Sequence, residues 1–280
     1  MTQKPSGAAT RARPLRAHMW WGLSLAVLLA LLIIWQVATS LVSSSYFPTP
    51  WQIIANIPKT LSSSTSRIGS GGQPAFVTEV LSSLWRWGAG WVVGVALGVL
   101  IGCGLGLSRS AREFTQPIVE FLRAVPGTAT ITLFILLLGI GPQMQIPFIA
   151  FGLMWTNIIN TSAAVSGIDR TLIDVGRVFR FSPQKQFFQL VLPAASPKIF
   201  AGVRISLTSA LLIGVVSEFM GATNGMGFMI IQTQRRFHFL DMWSWMLLLA
   251  VAGFLINTAY EAVEHRILRW YLSSRQQGGN

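Results

Sequence analysis

Acidic residues are scarce in this chain: nine Asp and Glu stand against 21 Lys and Arg, and charged residues of either sign make up only 11% of its 280 positions. Globular chains ordinarily carry about 25% charged residues, so an ordinary water-soluble surface is excluded. Cysteine is nearly absent. The lone Cys103 sits in an apolar run, which rules out an internal disulfide and a thiolate cluster. Three scattered histidines make no metal site, and no apolar stretch pairs a nucleophile with a base, so neither catalysis nor a bound metal is expected. None of the four lysines, Lys4, Lys59, Lys185 and Lys198, follows a glycine. The Gly-x-x-x-x-Gly-Lys-Ser/Thr phosphate cradle is therefore missing, and the chain cannot hold ATP in that manner.

What is present is hydrocarbon, at 52% apolar residues, gathered into long runs without Asp, Glu, Lys or Arg: Trp20–Val42, Trp87–Leu107, Ala124–Ile168 and Met242–Tyr260. Roughly 20 apolar residues cross a bilayer as a helix. The first run exceeds the roughly 7–15-residue core of a signal peptide and reads as a retained anchor. Hydropathy and turn residues predict an all-α membrane protein of six transmembrane helices, near 20–42, 80–107, 119–138, 146–167, 198–219 and 242–264. Gly139, Gly141, Pro142 and Pro147 divide the long third run. The expected organisation is a tail over 1–18, a first span to 42, an outer loop over 43–79 with a short helix near Trp51–Leu61, a five-helix core over 80–265, and a tail over 266–280.

Six spans place both ends on one side. Fourteen basic residues share that side: Lys4, Arg11, Arg13, Arg16, Arg109, Arg112, Arg170, Arg177, Arg180, Lys185, Lys198, Arg266, Arg269 and Arg275. Lys59, Arg67, Arg235 and Arg236 face the other, so the positive-inside bias predicts cytoplasmic termini in a cell membrane. Charge spread over separate segments also argues against nucleic acid as a partner.

The span near 80–107 carries Gly90, Gly94, Gly98, Gly102 and Gly106, a bare helical face that lets another backbone approach; packing within the subunit is the leading expectation, pathway lining the other. Between the fourth and fifth spans lies Asp169–Pro193, too long for a turn. Leu172, Val175 and Phe179, then Phe187, Phe188 and Val191, give two short apolar helical faces, and Ser182-Pro183 makes an N-cap with a first-turn proline. The break falls near Phe181. Such a hairpin suits helix-in-groove docking to a soluble protein, or is a solvated loop with a small core.

At this point the residues resemble the EAA loop of binding-protein-dependent ABC permeases: Glu-Ala-Ala, three residues, Gly, nine residues, Ile, one residue, Leu-Pro. Asp174, Val175 and Gly176 fill the first three places, Leu190 the Ile place, and Leu192-Pro193 the end. Arg180 stands at the Gly place, and because a bulky residue resists positive φ, the bend is expected to shift to Ser182-Pro183. Further segments are similar to the nitrate/sulfonate/taurine branch: Leu122-Arg-Ala-Val-Pro126, Phe134-Ile-Leu-Leu-Leu-Gly-Ile-Gly141 and Val216-Ser-Glu-Phe-Met-Gly-Ala-Thr-Asn-Gly-Met-Gly-Phe-Met229. The resemblance implies the type I ABC importer permease fold, with a cytoplasmic coupling-helix hairpin in a bacterial inner membrane. It implies a permease homodimer, ABC ATPase subunits that bind the ATP, and an extracytoplasmic solute-binding protein that delivers a nitrate-, sulfonate-, taurine- or bicarbonate-like solute. Asp174, Val175, Gly176, Arg177, Arg180, Ser182, Pro183, Leu190, Leu192 and Pro193 are then the coupling residues.

Glu218 and Arg204 in or beside the fifth span, and Arg123 at the third, are candidate pathway or gating groups because ionisable residues at membrane depth are functional by default. The plainer alternatives are a Glu218 carboxylate bonded to the following Gly-rich turn and an Arg204 that snorkels. An ATPase-independent secondary transporter or channel is the rival function, disfavoured by the lack of an inverted pair of broken spans or a chain of buried carboxylates.

Overall fold

The computed structural model describes residues 15–42, 44–63 and 74–268, and within them the chain is a helical bundle. The tails expected at 1–18 and 266–280, and the middle of the loop expected at 43–79, lie largely outside the described residues. Helix α1 (Leu15–Val42) is mostly exposed and apolar over Leu23–Val42 and touches the bundle only along one side, with the Trp35 ring 5.5 Å from Trp243 and Gln36 Oε1 accepting from the Trp51 N–H. Helix α2 (Pro50–Ser62) is amphipathic and starts on a capping box in which Thr49 Oγ1 accepts from the Gln52 N–H while Gln52 Oε1 accepts from the Thr49 N–H. It lies against the last helix through Ile53 and Asn56, whose Nδ2 donates to Asp241 Oδ1 at 2.8 Å.

A π-helical turn at Phe76–Leu81 leads into α3 (Ser82–Leu107). Its glycine face is filled by α6 (Pro142–Ser166), so the stripe is an internal contact. A Cβ on Gly90 would sit 2.7 Å from Ile149 Cβ, on Gly102 2.7 Å from Thr161 Cβ and on Gly106 2.6 Å from Val165 Cβ. The ascending numbers on both helices make the pair parallel, and the small residues bring the backbones together where no hydrophobic effect operates.

The uninterrupted third span expected over 119–138 is instead two helices, α4 (Arg109–Ala124) and α5 (Gly127–Leu138), set at 90°. Pro126 is the cause. It supplies no N–H and pushes Val125 into extended backbone at ψ 123°, so the helix cannot continue. Among the described residues five helical runs are long and apolar enough to cross a membrane, and α4 with α5 makes a sixth crossing if the bent pair counts as one.

After α6 come α7 (Arg170–Val178) and α8 (Pro183–Gln186), a π-helical turn at Phe187–Val191, and α9 (Leu192–Gly221). From Pro183 to Gly221 these form one helical run of 39 residues, where two separate pieces had been expected. The widened turn lies directly before Leu192-Pro193, where it accommodates a proline that would otherwise collide with the carbonyl one turn back. A short helix not anticipated from the sequence, α10 (Met226–Arg235), inserts between α9 and α11 (Phe239–Ile267). Met226, Ile230 and Trp245 from these two join Trp87, Ile149, Leu153 and Ala210 in the central core.

Candidate coupling hairpin and buried clamp

The hairpin at one end of the bundle is built by local rules. Asp169 caps α7, its Oδ1 accepting from the Thr171 N–H at 2.9 Å and the Thr171 hydroxyl at 2.8 Å. These bonds, the backbone one first, hold the Asp169 carboxyl below the ordinary carboxylate range. At the other end of α7, the Arg180 N–H reaches Arg177 O at 3.0 Å and the Phe181 N–H reaches Gly176 O at 2.9 Å. That pair is a Schellman motif, and it places Arg180 at the position just past the C-cap with φ +50°. The bend therefore stays at Arg180, contrary to the expected shift to Ser182-Pro183, because the two closing bonds outweigh the left-handed backbone. Ser182 and Pro183 start the next helix: Ser182 Oγ accepts from the Lys185 N–H at 3.4 Å.

Replacing Arg180 with Gly removes the left-handed penalty, roughly 1 kcal/mol. Hydrogen exchange across 170–191 should slow in R180G by the corresponding factor of about five.

The two arms close on Gly176. A Cβ there would meet Leu190 Cδ1 at 2.9 Å and Gln186 Cδ at 3.3 Å, while Gln186 Nε2 donates to Ile173 O. Gly176 and Leu190 are thus the floor of the hairpin. Leu192 and Pro193, both half-buried, join it to α9. The opposite face is exposed and apolar: Val178 at 79%, Phe179 at 68%, with Leu172, Val175 and Phe188 beside them. Basic groups frame this patch. Lys185 Nζ lies 4.4 Å above the Phe181 ring, and Arg177 pairs with Asp174 at 3.1 Å on the surface.

The three ionisable candidates have separate surroundings. Arg123 is exposed in the last turn of α4. Arg204 ties α9 to α11, 3.4 Å from Glu261 and 3.9 Å from Glu264. Glu218 is 1% exposed and belongs to a buried polar cluster at the end of the bundle remote from the hairpin.

There Arg86 is the hub. Its Nε donates to Ser82 O at 2.6 Å, Nη1 to Gln145 Oε1 at 2.7 Å and Nη2 to Asn224 O at 3.1 Å, and Nη2 lies 3.7 Å from Glu218 Oε1. Three acceptors, from the π-helical turn, the start of α3 and the end of α9, then take successive N–H groups at the start of α10. Glu79 Oε2 accepts from Gly225 at 2.7 Å, Ser83 Oγ from Met226 at 2.8 Å and Glu218 Oε2 from Gly227 at 2.8 Å. An uncapped helix start buried in apolar surroundings is costly, and the acids also face the positive end of the helix dipole. Gly225 has φ +120°, and a Cβ on it would stand 2.7 Å from the Glu218 carboxyl carbon, which explains why glycine occupies position 225. The arrangement clamps α10; it presents no open, solvent-facing acid–base pair.

Comparison with known proteins places this geometry. Residues 94–270 match the family model described as binding-protein-dependent transport system inner membrane component. The chain is 32% identical over 269 residues to a putative aliphatic sulfonates transport permease protein of Bacillus subtilis, covering 95% of this chain and 94% of that one. It is 27% identical to the taurine transport system permease protein of Escherichia coli, covering 89% and 90%. The inward-facing methionine ABC transporter MetNI contains a chain of the same fold, with a TM-score of 0.62, 20% identity, and coverage of 69% of this chain and 96% of that one. Descent, fold and the hairpin agree: the chain belongs to the binding-protein-dependent transport inner-membrane family and is a non-enzymatic, multi-pass membrane permease subunit of an ABC importer.

Proposed function

We propose that the exposed Val178–Phe179 face of the hairpin docks on the ATPase subunit and that nucleotide-driven motion there is conveyed along the helix running to Gly221. The observation that supports this is continuity. From Pro183 to Gly221 there is one helical run of 39 residues, about 58 Å long, with the hairpin at one end and the clamped α10 at the other. The run holds a π-helical turn and, in α9, two prolines but no loop, so displacement at Ser182 is passed along continuous helix towards Glu218, giving a two-state swing between inward- and outward-open forms. In this reading the hairpin end and both termini are cytoplasmic, ATP is held by the partner, and two copies of the chain enclose the pathway. Glu218 acts as a positioning residue that keeps α10 attached to the moving helical run, while Arg123, exposed on α4, is the candidate to meet a passing solute. The solute class proposed is a small sulfonate or related oxyanion, on the strength of the relatives' names.

Phe179→Asp places a charge in the middle of the docking face, and R177E reverses its basic rim. Burying an aromatic anchor is worth about 2 kcal/mol or more, so the affinity for the ATPase should fall roughly thirty-fold in the Phe179 variant. Co-purification of the ATPase with the tagged permease measures this, with membrane insertion unchanged. Undiminished recovery of the ATPase with both variants would remove the docking assignment. The solute class is tested by thermal shift of the cognate binding protein, whose melting point rises only with ligands that bind its folded form.

A further inference from the structure

A slot of about 350 Å³ lies between α4 and α6, beside the end of α6 that leads into the hairpin, at the small end of the roughly 300–1,000 Å³ of small-molecule sites. Charge lines it. Arg112, Gln116 and Glu120 follow one another every four residues on α4, so the three share one helical face along the slot. The Arg112 side chain is half-buried, and its guanidinium makes no hydrogen bond or ion pair among the described residues. Its neighbour Glu113 is taken by Arg109 at 2.7 Å. Glu120 has no cation among the described residues either: its Oε1 accepts from Gln116 Nε2 at 2.8 Å. On the α6 wall stands Ser162, 5% exposed, whose hydroxyl has no hydrogen-bond partner.

Charge selects the occupant. A guanidinium and a carboxylate that line one slot without pairing leave two opposite charges unmatched, and ionisable groups at membrane depth mark functional positions. A simple anion would satisfy Arg112 and be repelled by Glu120. A simple cation would do the reverse, and a hydrocarbon chain would strand both. A solute with one charge of each sign matches the two together. The planar fork of the guanidinium suits an oxyanion head, and the Glu120 carboxylate accepts from an ammonium. The unbonded Ser162 hydroxyl adds a donor at the same slot, and a buried polar group without a partner is uncommon enough to call for one. Resting on the importer reading, we propose that this slot is a binding site on the hairpin side of the pathway for a small dipolar solute, an oxyanion such as a sulfonate joined to an ammonium group. That class is narrower than small oxyanions at large.

Taurine, ethanesulfonate and ethylamine separate the two charges, since the second lacks the ammonium and the third lacks the sulfonate. The full chain is purified in mild detergent without ATPase or binding protein, and bound radiolabelled taurine is measured by scintillation proximity. Wild type should bind taurine, and ethanesulfonate and ethylamine should each displace it about tenfold less well, the usual worth of a charged hydrogen bond. Arg112→Gln should lower the affinity for taurine by a similar factor, and Arg112→Lys should recover part of it. Glu120→Gln should bring taurine down to the level of ethanesulfonate while leaving ethanesulfonate undiminished, a split that mere loosening of α4 would not produce. Ethanesulfonate that competes as well as taurine overturns the proposal on wild type alone, whether or not the variants fold. So does a wild-type subunit that binds no taurine, or a folded R112Q subunit of unchanged affinity. Variants that shift only the dimer fraction overturn it too, since a second copy then covers the slot. A cognate binding protein stabilised by sulfonates beside a permease that binds none removes the slot as a solute site and leaves the transport reading standing.

Discussion

Replacing Arg86 with Met should destabilise the subunit by about 3–5 kcal/mol, the ordinary cost of removing one partner from a fully buried ion pair. The magnitude follows from what is left behind. Glu79 and Glu218, 0% and 1% exposed, would remain in the interior with their shared cation gone. Gln145 and the Asn224 carbonyl would each lose a donor as well. Arg86→Lys should recover little, since one ammonium cannot reach the Ser82 carbonyl, Gln145 and the Asn224 carbonyl in the planar spread that the guanidinium spans. Adding Glu218→Gln to R86M removes one stranded charge, so the double variant should be more stable than the sum of the two single losses, with a coupling of about 0.5–3 kcal/mol. Thermal unfolding of purified protein provides the four corners of this cycle. An R86M protein that melts with wild type would mean that the cluster is no clamp.

The cluster also shows where reading a sequence stops. Hydropathy located the spans because it is a property of contiguous residues, and the hairpin declared itself through caps, helical spacing and Gly176. Arg86 stands just before the charge-free run Trp87–Leu107, within the span expected over 80–107, and Glu79, Ser83 and Arg86 stand four and three apart, on one helical face. Their acceptors and donors, however, lie at 145, 218 and 224–227, and nothing local announces those distances. Helix α10 was missed for a related reason. Met226, Met229, Ile230 and Thr233 carry helical periodicity, but ten residues are too few to read as a span, and the helix start is capped by residues distant in sequence. The break at Pro126 was legible in principle, since Val125-Pro126 excludes a straight helix; the charge-free run from Ala124 onward favoured one span instead. Arg180 is the opposite case. Steric preference forecast that the bend would move, yet two backbone hydrogen bonds of the Schellman motif settle its place. A local propensity of about 1 kcal/mol yields to a pair of bonds that close a helix end.

The same weighing fixes the sign of a change in the glycine face of α3. Gly98→Ala would stabilise an isolated helix by about 1 kcal/mol, because alanine is the better helix former. Here the new methyl would collide with Asn157 Cβ and stand 3.0 Å from the Met154 carbonyl oxygen. Neither obstacle is the free end of a side chain. Both are fixed to the α6 helix itself, Asn157 is 1% exposed and its Nδ2 is bonded to Leu153 O, so relief requires the two helices to separate. Separation at one level undoes contacts along the whole parallel pair, from Gly90 against Ile149 to Gly106 against Val165. G98A should therefore lose stability, and Gly98→Leu should exceed the roughly 1–3 kcal/mol of ordinary overpacking, leaving little folded subunit in the membrane. Gly104→Ala, on the open side of the same helix, isolates the propensity effect and should be neutral or gain up to about 1 kcal/mol. Folded yield of the three variants, read by fluorescence-detected size exclusion and melting temperature, gives the order G104A, then G98A, then G98L. If G98L is recovered folded at the level of G104A, the close approach of α3 and α6 does not hold the subunit together.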